Sequence, residues 1–104
     1  MRTSIKITDH VIKKGGFFSS DYVLYTVQTA PTRWKVERKD NDFYTLRRLI
    51  RKEFPHLLVP PLPIKNTKMT LKVLQKRERQ FSRFLQALGR AEEIKASKFF
   101  IAFL

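Results

Sequence analysis

Arg77 stands four, seven and eleven residues before Phe81, Phe84 and Leu88. On a helix those spacings share one line, so the guanidinium is carried inward with the apolar side chains. An inward-facing charge needs a partner, which would be either a phosphate of a ligand or an acid of the chain such as Asp42. On another line of the same stretch, Lys72, Lys76, Arg79 and Arg83 repeat at intervals of four, seven and eleven. This stripe reads either as a solvated helix face or as added attraction for an anionic lipid surface, at about 1 kcal/mol per cation held near it. Other chemistries are poorly supplied. There is no Cys, and the two His, at positions 10 and 56, are too far apart to suggest a metal cluster. Glu92 and Glu93 form the one adjacent pair of carboxylates usable for acid–base work and fall in a helical tail, while Ser19 and Ser20 have no nearby base. No catalytic residues, metal or cofactor are expected.

The charge of the whole chain points the same way as Arg77. Its 104 residues carry 22 Lys+Arg against 9 Asp+Glu, a formal charge of +13, so an anionic partner is expected. That partner is either a nucleic acid, for which no RNP, KH or helix-turn-helix signature accompanies the charge, or an acidic membrane surface. With 42% hydrophobic residues and nine Phe the chain is too apolar for a disordered tail, and its length fits one domain over residues 1–104. No apolar run approaches the roughly 18 residues of a membrane-spanning helix. The opening Met-Arg-Thr-Ser-Ile-Lys-Ile lacks the apolar stretch of a signal peptide, which favours the cytoplasm. The chain ends on an apolar Phe-Leu, which suggests a domain excised from a longer protein.

The elements that must position these residues change character midway. Residues 4–14 contain Ile5, Ile7, Val11 and Ile12, and Gly15-Gly16 then interrupts as a hairpin would. Residues 21–29 place Val23, Tyr25 and Val27 on one strand face, and after Ala30-Pro31-Thr32 residues 33–39 place Trp34 and Val36 on one side. Three strands with short connections favour an antiparallel meander. At Asp40-Asn41-Asp42 the period lengthens to about 3.6, and these residues suit a helix N-terminus. Phe43, Leu46, Leu49, Ile50 and Phe54 mark its stripe, ended by Pro55. Residues 57–65 hold three prolines and are expected to be extended. A longer helix should run from about residue 68 or 70 to Leu88, stopped at Gly89, with short helices over 91–96 and 97–104, the last burying Phe99, Phe100, Phe103 and Leu104. The fold class is α+β: a three-stranded antiparallel meander packed against a three- to four-helix subdomain with a proline-rich crossover.

Three motifs in this order resemble the PX (phox homology) domain of sorting nexins and related proteins: Glu37-Arg38-Lys39-Asp40-Asn41-Asp42-Phe43, Val59-Pro60-Pro61-Leu62-Pro63-Ile64-Lys65, and Lys76-Arg77-Glu78-Arg79-Gln80-Phe81-Ser82-Arg83-Phe84-Leu85. The resemblance implies a module that binds phosphoinositides, phosphatidylinositol 3-phosphate by default, and that is cytoplasmic and peripheral on endosomal membranes. It also implies the ligand set. Lys39 takes the place of the family's 3-phosphate-binding arginine. Lys65 matches the lysine that contacts the 1-phosphate, and Arg77 the arginine on the far side of the inositol ring. The segment from Asn66 to Lys72 falls where the family has its membrane-insertion loop, so Lys68, Met69 and Leu71 become candidate membrane contacts; alternatively the segment begins the long helix.

The motif also departs from the family. Lys39 keeps charge but lacks the planar fork of arginine. Asp40 replaces an aromatic that packs on the inositol ring, and so adds negative charge and removes a stacking surface. Arg38 either compensates as a further ligand residue or is structural, since strand alternation aims it at the Trp34 and Val36 face. Asp40 either faces the ligand or caps the helix. The hairpin tip Lys13-Lys14-Gly15-Gly16-Phe17-Phe18 reads either as an interfacial loop or as a turn with inward-packed rings. The alternative to a lipid reader is a degenerate PX domain that keeps the fold and binds a protein partner.

Overall fold

The computed structural model describes residues 4–17, 20–65 and 68–104. Expectations that fell on Phe18, Ser19, Asn66 and Thr67 lie outside the described residues. The elements follow in the order β1 (Ser4–Lys13), β2 (Tyr22–Ala30), β3 (Trp34–Lys39), α1 (Asp40–Glu53), α2 (Leu71–Arg90), α3 (Glu92–Lys95) and α4 (Lys98–Phe103). The three strands form one antiparallel sheet in the order β1-β2-β3. This is the expected α+β meander and helical subdomain, with residues 59–63 outside any helix.

A register shift between Ile7 and Asp9 changes the expected role of the first strand. Before it, Ile5 and Ile7 pair with Thr29 and Val27 and are buried; after it, His10 pairs with Tyr25 and Ile12 with Val23. One extra residue exchanges the two faces of a strand. His10 therefore turns toward the helices, where its ring meets Glu78 of α2. Val11 faces outward, and Val11 and Ile12 are 45% and 41% exposed rather than core residues. The free edge of β1 is covered by α2. Ser82 Oγ accepts from the Ile7 N–H at 2.9 Å, and Gln86 donates to the Ile5 carbonyl at 3.1 Å. Gly89 does not stop this helix. It lies within it against Ile5, where a Cβ would come within 3.4 Å of Ile5 Cδ1, and α2 ends one residue later.

The core is a cluster of rings between the sheet and the helices. Phe43 of α1 stacks on Phe81 of α2 at 4.1 Å, Tyr25 of β2 meets Phe81 edge-on at 5.2 Å, and Phe103 of α4 meets Phe43 at 5.1 Å. All four side chains are buried. Phe100 is buried with them, whereas Phe99 and Leu104 are only partly covered.

Arg38 is tied into this framework. The Arg38 and Tyr25 pairing puts it on the inner face of β3. Its Nε donates to the Phe103 carbonyl at 2.8 Å, Nη2 to Ala102 at 3.4 Å and Nη1 to Glu37 at 2.9 Å. Trp34 Nε1 donates to the Leu104 carbonyl at 2.7 Å. Together they satisfy carbonyls at the end of α4, which has no later turn to bond them. Hydrogen bonds from a charged donor contribute about 1.5–3 kcal/mol, less where partly solvated. Arg38→Ala is thus expected to cost about 1–2 kcal/mol, and thermal denaturation should show a midpoint lower by about 4–8 °C per kcal/mol lost.

Candidate functional site

One turn of α1 and one of α2 face each other across the crossover. Asp40, Phe43, Tyr44 and Arg47 fall at intervals of three, four and seven, a single line of α1. Arg47 donates to the Pro60 carbonyl at 2.8 Å, and the Tyr44 hydroxyl donates to that of Pro63, so α1 fixes the path of the proline segment. The helix begins at Asp40 itself. Its N-cap is Lys39, whose backbone N–H is taken by the Asp42 carboxylate at 2.8 Å, and Asp40 is the first helical residue. Asp42, not Asp40, therefore makes the capping bond.

Arg77 is buried on α2, as its spacing predicted. Its partner is Asp40 and not Asp42. Nη1 lies 3.1 Å from Asp40 Oδ1, and Nη2 donates to the Ile64 carbonyl at 3.3 Å. The pair is lopsided, with the Arg77 side chain 5% exposed and that of Asp40 34%. Two phenols lie beside it. Burial, and then the Asp40 carboxylate, push Tyr25 well above the ordinary tyrosine range, while Arg77 opposes the shift. Tyr44 is raised chiefly by burial, with Arg77 again opposing.

Asp40 and Arg77 open into a groove of about 530 Å³, lined also by Tyr22, Lys68, Met69 and Leu74. Asp21 lines it too. The Gly15 N–H, and then Lys14, hold the Asp21 carboxyl below its usual range. Lys39 and Lys65 are not on the wall itself. Lys39 Nζ stands 4.5 Å over the ring of Tyr22, and Lys65 Nζ 5.0 Å over the ring of Tyr44. Among the described residues neither lysine pairs with a carboxylate. Of the expected membrane contacts, Lys68 and Met69 line the groove, and Leu71 is 63% exposed at the start of α2. Ile64, unremarked in the sequence, is 91% exposed next to Lys65, and Phe17 at the hairpin is 97% exposed. Lys72, Lys76, Arg79 and Arg83 are all exposed, a solvated face.

Two residues escaped the sequence reading. Tyr22 and Tyr44 act as platforms for the lysines, and the spacing of Tyr44 from Asp40 was the available signal. No helix among the described residues is long and apolar enough to cross a membrane.

The PX domain family model matches residues 27–104. Autophagy-related protein 20 of Gibberella zeae is 32% identical over 107 residues, covering 90% of this chain but only 16% of that protein. A designed CISK-PX domain has 25% identity and a TM-score of 0.83, with 97% of each chain covered. The mouse SNX19 PX domain, solved with bound sulphate, has 23% identity and a TM-score of 0.68 over 97% of this chain and 93% of that one. The Vam7p PX domain, at 20% identity and a TM-score of 0.69 over 100% and 92%, shares the same fold. These structural likenesses include β1, which the family match omits.

Proposed function

The chain belongs to the PX domain family, and we propose that it is a membrane-recruitment module whose groove binds the headgroup of a phosphoinositide, with phosphatidylinositol 3-phosphate as the preferred ligand. The observation that carries this is a buried guanidinium in a 530 Å³ groove, with Lys39 next in sequence to the wall residue Asp40 and Lys65 next to Ile64, whose carbonyl accepts from Arg77. A ring bearing separated phosphates needs separated cations, each with its own donors. In this reading Lys39 takes the 3-phosphate, Lys65 the 1-phosphate next to the membrane, and Arg77 the far side of the ring. Lys68, Met69 and Leu71, joined by exposed Ile64, rest on the bilayer surface. The protein is then peripheral on endosomal membranes and acts in trafficking, as its likeness to an autophagy-related protein also suggests. No enzymatic role is proposed.

Co-sedimentation with vesicles at physiological salt tests this. Vesicles containing phosphatidylinositol 3-phosphate should retain the protein well above vesicles with phosphatidylserine alone. The salt matters because +13 charges hold the chain to any anionic vesicle at low ionic strength. Equal binding to every anionic vesicle would leave only bulk electrostatics. The Asp40–Arg77 pair favours a second reading, a PX domain that recognises a protein partner. Weak, unspecific vesicle binding would select it.

A further inference from the structure

We propose that Asp40 is a specificity-determining residue of this groove: with Arg77 it forms an acceptor–donor pair that takes free ring hydroxyls and turns away a phosphate on that side. The inference rests on the headgroup reading above and concerns how many phosphates the ligand carries.

The geometry separates two kinds of positive charge. Arg77 is buried and already holds a carboxylate 3.1 Å away, whereas Lys39 and Lys65 stand over tyrosine rings with no carboxylate partner among the described residues. Phosphates are therefore drawn to the two lysines. At the paired side Asp40 is a third exposed and lines the groove, so it is the acceptor that an entering ligand meets. A hydroxyl both donates and accepts. Adjacent hydroxyls can give a hydrogen to Asp40 and receive one from Arg77 without separating them. A phosphate monoester carries about −1.5 to −2 charges and offers Asp40 chiefly acceptor oxygens. To reach Arg77 it would have to displace the carboxylate and leave it unpaired beside Tyr25 and Tyr44. That penalty falls on the phosphate and not on the hydroxyl, which is what specificity requires.

The shared ligand chemistry is an inositol ring with phosphates at one end and free hydroxyls at the other, whether carried by a lipid or free in solution. Calorimetry with the soluble headgroup of phosphatidylinositol 3-phosphate and with inositol tetrakisphosphate reads the ring alone. Co-sedimentation with vesicles bearing lipids of one or three ring phosphates reads it at a surface. The parent should prefer the less phosphorylated ring by at least tenfold in both assays. Asp40→Asn, which keeps shape and removes charge, should gain affinity for the more phosphorylated ring and erase most of that preference. Asp40→Glu should retain it, which separates charge from loosened packing. A folded Asp40→Asn protein with the parent's preference overturns the inference, as does a preference seen only on vesicles, which would belong to the surface. Binding without discrimination overturns the role of Asp40 alone. Absence of binding by the parent and both variants, above a phosphatidylserine control, overturns the headgroup reading and this inference with it.

Discussion

Phe81→Ala is expected to lower stability by about 3–5 kcal/mol, the range for removing a large buried ring. The ring is fully buried at the point where β2, α1 and α2 meet. It stacks on Phe43 at 4.1 Å with planes 7° apart, and Tyr25 and Tyr44 meet it edge-on at 5.2 Å and 6.5 Å. Each aromatic pair adds about 0.5–1.5 kcal/mol beyond buried area. Since folded domains are stable by only about 5–15 kcal/mol, the variant should lose from about a fifth to nearly all of its stability. Phe81→Leu fills most of the volume and should cost less than half as much. Urea denaturation of the three proteins checks this through the shift in midpoint at unchanged slope. A loss below about 1 kcal/mol for the alanine variant would mean that the cluster relaxes around the gap. Arg77 lies one turn before Phe81, so any loosening here is also transmitted to the groove.

What could be read in the sequence was local. The alternation between turn residues, the change of period at residue 40 and the proline run placed every helix and strand within about three residues, because each pattern lies within one element or its flanks. The inward line of Arg77 with Phe81 was local in the same sense. What depended on register or on distant chain was not. The shift at Thr8 exchanges the faces of β1, so Val11 went outward and His10 inward, and only the pairing with β2 fixes that. The acceptors of Arg38 lie 65 positions away at the end of α4, so the strand alone left its ligand and structural roles both open. The choice between Asp40 and Asp42 turned on where α1 begins, since one residue rotates a side chain by about 100°. Had the start been placed at Asp40, its line with Phe43, Tyr44 and Arg47 would have aimed it at the crossover.

That geometry makes Arg77 the residue whose loss should most affect binding. Arg77→Ala removes donors that contribute about 1.5–3 kcal/mol when charged, a drop in headgroup affinity of about ten- to a hundredfold. It also leaves the Asp40 carboxylate facing the groove without the guanidinium 3.1 Å away, so the site changes from paired to negative. Both effects act against an anionic ligand. Stability should fall by less than the 3–5 kcal/mol of a fully buried broken pair. Asp40 is 34% exposed, and water can take over part of the lost contact. Arg77→Lys keeps the charge without the planar fork and should fall between parent and alanine variant. It also guards against misreading a folding defect, since its melting point should stay near that of the parent. Calorimetric titration with the soluble headgroup, alongside thermal denaturation of each protein, separates binding from folding. If the folded alanine and lysine variants bind as the parent does, the ligand lies elsewhere on the surface, and the Asp40–Arg77 pair serves only to hold α1 against α2.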